Sequence, residues 1–520
     1  MVPAPQPDPG VHPVVHNALR VSFSAKEYKI LHDYAQNSPL LHEKLVSPAR
    51  FDAITRSKNK YNEAAVRASL RVFLGSGALM KLVDFVIGRL QKGPAQKKPR
   101  TTLLRSPNFR LSISLSLMVL LHRLLHRFFV RLRSNLRTAE AQPFCERNPR
   151  TSKALTSRYA PAVGASLAGL ALGICTQNQL RMTVAIFAAT RGLESVYNVL
   201  DEKGWLENRP WWFGSWLLMP ASLAQLFHAF VFDREFMPKW FENVILKYSP
   251  SYIHDRPDTL PAQFPWPEKD EIVDSIAAIA KLRWPAFVSP ILHPATPNVL
   301  PSGLKSISPI TGPAHPSIPH LSCALTHPSC PSCGTALTHH LLLSVSALAR
   351  LFTAITLARS LLNLKAWLTN PISTVNSLSK QVITQTAVLS AAIGSAWGSL
   401  CLWNAVLPRS ALPTQRFYLS GALAGIPFAF LGSNNRSLFL YFLRLAVDSA
   451  WKTGVKRGLW KGWRGGDAWL FVVAWAILGS SLECRPNSVQ GPSARKLLAW
   501  MRGDGFVDPV ERRRRRASSA

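Results

Sequence analysis

The sequence has few acidic residues and few cysteines for its length. It contains 28 Asp and Glu against 61 Lys and Arg, and 7 Cys in 520 residues. So few cysteines exclude a disulfide-rich secreted scaffold, and glycines without a triplet period exclude a collagen-like chain. The hydrophobic content of 47% excludes a disordered chain, because such chains lack the apolar side chains that a core requires.

The motifs of soluble enzymes are also missing. The sequence contains no glycine-rich phosphate loop, no HExxH and no nucleophile elbow. Its start, MVPAPQPDPGVHP, lacks the basic and apolar regions of a signal peptide. We therefore expect a protein that is not an enzyme and is targeted by internal sequences.

Long blocks without charged residues are present instead. Four blocks reach the ~20 residues that cross a bilayer core: Tyr159–Leu180, Trp211–Phe232, Gln381–Pro408 and Phe417–Asn435. Four shorter blocks become spans if their ends snorkel: Leu111–Phe129, Leu341–Leu362, Ser437–Ala450 and Ala468–Leu482. Any one block fits a buried helix of a soluble protein, but together they predict an all-α polytopic membrane protein.

A weak internal repeat divides the chain. Gly164–Leu170 reads GASLAGL and Gly421–Ile426 reads GALAGI, and each precedes a polar break and an aliphatic helix with paired charges. The repeat predicts two related halves of about four to five helices each. We expect a polar N-terminal segment (1–58), a first membrane half (59–235), a Pro/Ser-rich linker with a Cys/His cluster (236–338), a second membrane half (339–485) and a basic disordered tail (486–520). Proline density should prevent regular helix in the linker, except for one amphipathic helix over Glu268–Leu282.

Charged residues inside or beside the apolar blocks form candidate polar seam positions. They are Arg181, Arg191, Glu194, Arg436, Arg444 and Asp448. Arg191 with Glu194, and Arg444 with Asp448, have the i,i+3 and i,i+4 spacings that bring side chains together on one helix face. Because such groups are costly in lipid, they either line a water-filled path or neutralise each other and lock neighbouring helices.

Glycines recur at a spacing that allows helices to approach closely. The pairs are Gly169 with Gly173, Gly394 with Gly398, and Gly421 with Gly425. Small residues four apart predict helix packing, either within the chain or in a homo-oligomer.

A Cys/His cluster is the sharpest polar motif. Cys323, His327, Cys330 and Cys333 could supply the four ligands that zinc prefers. A second complete half-site is missing, so a loop rich in small residues and a redox dithiol remain alternatives.

Basic residues surround the apolar blocks and form the run Arg512–Arg516. Polybasic segments beside membrane spans bind anionic lipid head groups. Because the positive charge lies at span borders and in the tail, we expect lipid partners and no nucleic acid.

Taken together, these features resemble the transmembrane protein 135 family in its fungal form. The resemblance rests on the two-half organisation, on Cys323-x-x-x-His327-Pro…Cys333, on the helix Arg191-Gly-Leu-Glu194-Ser-Val-Tyr197-Asn198, and on Arg444…Asp448. It implies a multi-pass protein of the peroxisomal or, second, the mitochondrial membrane, active in lipid and organelle homeostasis. It also implies a distant relation to the mitochondrial inner-membrane import translocase superfamily, and it brings no catalytic residues. The alternative is a solute or lipid transporter with a polar seam between the halves.

Overall fold

The computed structural model describes residues 21–35, 47–55, 60–90, 106–176, 179–210, 212–258, 260–261, 263–293, 300–361, 364–432 and 435–518. Over these ranges the chain forms helices and turns and no β-strand, with one isolated bridge between Ala286 and His320. The predicted all-α class is therefore confirmed. The predicted N-terminal segment lies mostly outside the described residues, as do Gln177-Asn178 and Ser433-Asn434 of the polar breaks.

The helices have these bounds in chain order: α1 Ala25–Ala35, α2 Pro48–Thr55, α3 Lys60–Leu90, α4 Pro107–Asn135, α5 Gln142–Arg147, α6 Pro149–Thr156, α7 Ala160–Ser166, α8 Gln179–Glu202, α9 Leu218–Phe232, α10 Lys239–Tyr248, α11 Lys269–Lys281, α12 Ser308–Thr311, α13 Leu321–Thr326, α14 Cys333–Leu361, α15 Leu364–Thr369, α16 Pro371–Val406, α17 Arg416–Gly425, α18 Arg436–Lys456, α19 Gly466–Cys484, α20 Pro492–Arg502 and α21 Pro509–Ser518. Short 3₁₀ helices extend several of them, notably Leu167–Ile174 after α7 and Ile426–Leu431 after α17.

Within the described part of the chain, 5 helices are long and apolar enough to cross a membrane. They are Pro107–Asn135, Ser215–Phe232, Cys333–Leu361, Pro371–Val406 and Gly466–Cys484. In α14 only 17% of the most apolar stretch is buried, and Leu342 and Leu361 are exposed. Apolar side chains that face outward in this way suit a lipid environment, so the chain is a multi-pass membrane protein.

Two predicted spans form shorter helices. The blocks Tyr159–Leu180 and Phe417–Asn435 give Ala160–Ile174 and Arg416–Leu431. The first ends where Cys175 becomes extended, and the second ends at Gly432, whose φ is +69°. A backbone in the left-handed region stops a helix, which apolar composition alone does not reveal.

The chain forms two compact units by its internal contacts. One unit contains residues 1–208 and 463–520, and the other contains residues 209–462. In the first unit α3 packs on α4, α4 packs on α7 and its 3₁₀ extension, and α19 packs on α7 and α8. In the second unit α14 packs on α16, α16 packs on α17, and α9 packs on α17 and α18.

These units cross the predicted boundaries of the membrane halves, 59–235 and 339–485. The last helix of the predicted first half, α9, belongs to the second unit, and the last helix of the predicted second half, α19, belongs to the first.

Glycine allows the close contact between α9 and α17, because a Cβ at Gly421 would lie 2.2 Å from the carbonyl oxygen of Leu223.

The Pro/Ser-rich segment is folded into the second unit. The predicted helix Glu268–Leu282 is confirmed as α11, which begins with a reciprocal capping box between Glu268 and Glu271. The expectation that proline leaves the rest without regular structure is wrong for the described residues. Helices α10, α12 and α13 also form there, and Leu304, Ile307 and Ile310 are buried in the core.

The predicted disordered tail is likewise wrong for residues 486–518. Helix α20 packs on α4, and Met501 is buried. Arg495 holds Asp508 through two atoms, with Nε 2.8 Å from Oδ1 and Nη2 2.7 Å from Oδ2. Side chains that pair in this bidentate way fix the turn between α20 and α21.

Candidate metal centre and buried ion pairs

Three segments of the second unit bring cysteine and histidine together. Cys323 lies in α13, His327 ends that helix, Cys333 begins α14, and Cys401 lies near the end of α16. The chain turns at His327 and Pro328, between α13 and α14. The Pro328 carbonyl accepts a hydrogen bond from the His315 N–H at 2.8 Å. This bond fixes the turn between α13 and α14.

The four donor atoms form one compact group. The Cys323 Sγ lies 3.7 Å from the Cys401 Sγ and 4.0 Å from the Cys333 Sγ. The Cys401 Sγ lies 3.5 Å from the His327 Nε2. All four ligand atoms lie within 4.8 Å of one another. Cys323, His327 and Cys401 are buried, whereas Cys333 reaches the surface.

Neighbouring polar groups orient this cluster. The His327 Nδ1 lies 3.2 Å from the Cys330 carbonyl oxygen, which suits an Nδ1–H donor, and the Nε2 atom faces the sulfurs. Asn404 donates to the Ser322 hydroxyl at 2.8 Å and accepts from Arg416 at 2.7 Å. Buried side chains with satisfied hydrogen bonds hold α13 and α16 in fixed register.

The sulfur atoms control the charge of the histidine. Burial lowers the pKa of His327, but hydrogen bonds and electrostatic attraction from Cys323 and Cys333 outweigh it and raise that pKa to about 10. At His254, whose pKa is not shifted by such sulfur partners, burial is the largest effect and the pKa is lowered.

The structure changes the predicted ligand set by one residue. Cys323, His327 and Cys333 come together as donors, but Cys330 lies outside the group and contributes only its carbonyl oxygen. Cys401, which lies 74 residues from His327 in sequence, is the fourth member. Its only sequence signal is a cysteine inside an apolar block, which is more often ordinary helix packing.

The candidate seam residues divide equally between the two units. Arg181, Arg191 and Glu194 lie in α8 of the first unit, and Arg436, Arg444 and Asp448 lie in α18 of the second. The Arg191 Nη1 lies 2.6 Å from the Glu194 Oε2, as the i,i+3 spacing predicts. Asp448 accepts a hydrogen bond from the Lys452 ammonium at 2.8 Å, a partner that the sequence reasoning did not name.

Arg181 takes part in a buried ion pair between two helices. Its Nη2 lies 2.5 Å from the Asp467 carboxylate of α19, and its Nη1 donates to the Cys175 carbonyl at 3.1 Å. The two side chains are 4% and 11% exposed. Asp467 lies 286 residues away in sequence, so helix spacing could not identify it.

A cavity of about 320 Å³ lies beside the Arg191–Glu194 pair in the first unit. Its walls are mostly apolar, with Phe471, Trp475 and Leu497 among them, and its polar lining residues are Arg191, Glu194, Ser195 and Gln490. The Arg191 side chain is 31% exposed, and its guanidinium lies 5.7 Å from the centre of the Phe187 ring. The cavity therefore combines an apolar wall with a cation at its edge.

The candidate packing glycines have unequal surroundings. A Cβ at Gly169, Gly394, Gly421 or Gly425 would lie 3.0 Å or less from a neighbouring helix, whereas one at Gly398 would make an ordinary contact at 3.6 Å. A Cβ at Gly173 would meet nothing within 4 Å. Close helix approach therefore depends most on Gly421 and Gly425, whose nearest neighbours are backbone atoms, whereas Gly169 and Gly394 face side chains.

Comparison of the chain with known protein families, with curated proteins and with solved structures finds no match. The family resemblance drawn from the motifs accordingly stays a prediction.

Proposed function

We propose that this multi-pass membrane protein binds an amphipathic lipid and supports lipid homeostasis in an organelle membrane, without catalysing a reaction. The peroxisome is the proposed location and the mitochondrion is the second. The observation that carries the proposal is the apolar cavity beside Arg191 in the first unit.

The chemistry of this cavity suits a lipid. Apolar walls favour an acyl chain, because each buried CH₂ contributes about 0.8 kcal/mol. Arg191 carries five N–H donors in a planar fork that matches a carboxylate or a phosphate. Glu194, only 2% exposed, holds this guanidinium at the edge of the cavity. An acyl chain along the wall would place an anionic head group near Arg191.

The polar side chains at the cavity favour binding over catalysis. The Ser195 hydroxyl lies 3.3 Å from the Ser488 hydroxyl, which is not a base such as histidine. Activation of a serine nucleophile requires such a base within hydrogen-bond reach. The proposal therefore includes no reaction step.

The order of helix packing supports two related halves. In the first unit α4 packs on α7 and α19 packs on α7 and α8, and in the second α16 packs on α17 and α9 packs on α17 and α18. We propose that each half of an ancestral repeat gave its last helix to the other unit. This arrangement would explain why the sequence repeat and the compact units have different boundaries.

Exposed arginines of α21 add a lipid-binding surface to the proposal. Arg512, Arg513, Arg514 and Arg515 are exposed, and Arg515 also pairs with Glu511 at 2.6 Å. Arginines near a membrane surface attract anionic lipids at about 1 kcal/mol each. Anionic head groups are thus the proposed partners of this helix.

Photocrosslinking tests the lipid site. The full chain in native membranes is labelled with a photoactivatable fatty acid, and the labelled peptides are mapped by mass spectrometry. We expect labels in α8 and α20, because both helices line the cavity. Ala188→Phe, which fills the cavity, should abolish this labelling, and Thr183→Phe on an exposed face of the same helix should retain it. Equal labelling of the two variants would refute the site.

Fluorescence localisation tests the proposed organelle. A tagged chain is imaged against peroxisomal and mitochondrial markers. Overlap with the peroxisomal marker is expected, and exclusive residence in the endoplasmic reticulum or the plasma membrane would overturn this part of the proposal.

Transport is the second candidate function, and the ion pairs Arg191–Glu194 and Asp448–Lys452 within apolar helices favour it. Neutralising Glu194→Gln and Asp448→Asn together separates the two candidates. If the double variant folds correctly but no longer moves solute or lipid across the membrane of reconstituted vesicles, this result would support transport. Unchanged flux would contradict it.

A further inference from the structure

We propose that Cys323, His327, Cys333 and Cys401 bind one Zn²⁺ ion in a closed, structural site within the second unit. The inference is independent of the lipid site, because all four residues belong to residues 209–462 and the lipid cavity belongs to the other unit.

The spacing of the donor atoms matches a tetrahedral zinc site. Zinc–sulfur bonds of about 2.3 Å and zinc–nitrogen bonds of about 2.0 Å place two sulfurs about 3.8 Å apart and a sulfur and a nitrogen about 3.5 Å apart. The corresponding distances are 3.7 Å for Cys323–Cys401, 4.0 Å for Cys323–Cys333 and 3.5 Å for Cys401–His327. These three distances match a tetrahedral shell, and all four donor atoms lie within 4.8 Å of one another, close enough to surround one cation.

The donor chemistry selects zinc among the common cations. Three thiolates and one imidazole form a soft and borderline set, which zinc prefers and which calcium and magnesium avoid. The hydrogen-bond geometry at His327 fits the same role. Its Nδ1 faces the Cys330 carbonyl at 3.2 Å, so the Nε2 atom near Cys401 is the one available to a metal.

The position of the ligands indicates a structural purpose. Four protein ligands complete a tetrahedral shell, so the site leaves no coordination position for water or substrate. The ion would join the end of α13, the start of the membrane-capable helix α14 and the last turns of α16. It would thus fix the entrance of the folded linker into the membrane part of this unit.

The same sulfurs could alternatively form a disulfide. Cys323 and Cys401 are free cysteines with sulfurs 3.7 Å apart, whereas a disulfide requires about 2.05 Å. A disulfide would remove two of the four ligands, so the two states exclude each other and can be distinguished by experiment.

Metal analysis of the full chain tests the proposal. The chain is purified in detergent under reducing conditions, supplied with zinc alone, and freed of excess ion before zinc and protein are quantified. We expect one zinc per chain. Cys401→Ser and His327→Ala should bind at least tenfold less, and Cys330→Ser, the matched control, should keep the full amount.

Two further measurements separate ligand loss from misfolding. Cobalt bound in place of zinc should give the intense charge-transfer absorption of cobalt–thiolate bonds in the wild-type chain, which requires no variant. Cys401→His should retain the metal and weaken that absorption, because it exchanges one sulfur for nitrogen. Absence of metal from the reduced wild-type chain would overturn the proposal. So would a Cys323–Cys401 disulfide in the chain isolated without reductant, or loss of zinc by Cys330→Ser with retention by Cys401→Ser.

Discussion

Replacing Gly421 by alanine should disrupt the contact between α9 and α17. The added Cβ would lie 2.2 Å from the Leu223 carbonyl oxygen and 2.7 Å from the Ala224 Cα. Both neighbours are backbone atoms, so no side-chain rotation can relieve the overlap. The helices would have to separate by about 1 Å to restore a normal van der Waals contact.

The magnitude follows from two opposing effects. Overpacking in a dense interior costs about 1–3 kcal/mol, and a clash between two backbones belongs at the upper end of that range. Alanine also favours helix over glycine by about 1 kcal/mol, which reduces the loss. We therefore expect Gly421→Ala to lower the free energy of unfolding by about 2 kcal/mol, roughly thirtyfold in the unfolding equilibrium.

Gly173→Ala provides a matched control from the same predicted set of packing glycines. Its Cβ would meet no atom within 4 Å, so the variant should be neutral or stabilised by up to about 1 kcal/mol. Both variants are titrated from dodecylmaltoside into SDS, and loss of structure is followed by circular dichroism. Equal stability of the two variants would refute the helix contact.

Three other perturbations have effects that the structure defines. Asp467→Asn should destabilise the chain by about 3–5 kcal/mol in the same SDS titration, because it removes the anionic partner of the buried Arg181 guanidinium. Arg181→Met combined with Asp467→Leu should recover most of that loss. A double variant as unstable as Asp467→Asn would contradict the pairing. Asp508→Asn should make the tail after α20 accessible to proteases, and undisturbed digestion kinetics would contradict the anchoring role of Arg495. Arg495 lowers the pKa of Asp508. The ion pair therefore stabilises the tail above the unfolded pKa of about 4, and this stabilisation is lost as the pH falls below that value. A rate of tail cleavage by pepsin that does not rise in the wild-type chain as the pH falls below about 4 would contradict this pH dependence.

The sequence predicted features that depend on local pattern. The apolar blocks located the five membrane-capable helices of the described residues, although Tyr159–Leu180, Phe417–Asn435 and Ser437–Ala450 did not give such helices. The amphipathic pattern of Glu268–Leu282 identified a helix inside a proline-rich segment. The Arg191–Glu194 contact followed from i,i+3 spacing. Each of these properties arises within one or two turns of helix, where sequence separation and spatial separation agree.

Features created by distant contacts were missed. Cys401 joins the cluster across 74 residues, and Asp467 pairs with Arg181 across 286 residues. Neither pairing produces a periodic pattern, because it depends on which helices become neighbours. The membership of α9 in the second unit and of α19 in the first was missed for the same reason, since the order of residues along the chain carries no information about packing partners.

The proline-rich segment shows a different limit of sequence reasoning. Proline was expected to prevent regular helix there, but it permits short helices that carry proline in their first turn, such as Ser308–Thr311. The apolar residues Leu304, Ile307 and Ile310 lie between the prolines and are buried in the core. Composition alone therefore indicated a linker where tertiary packing produces a folded part of the second unit.

The proposed function depends on a lipid held in the cavity beside Arg191 in the first unit. The most direct measurement is the intact mass of the chain, released from detergent micelles under native conditions and compared with its denatured mass. We predict an adduct with the mass of a lipid on the wild-type chain and on Thr183→Phe, and its loss from Ala188→Phe. A wild-type chain without an adduct, or an adduct that Ala188→Phe retains in full, would contradict the claim.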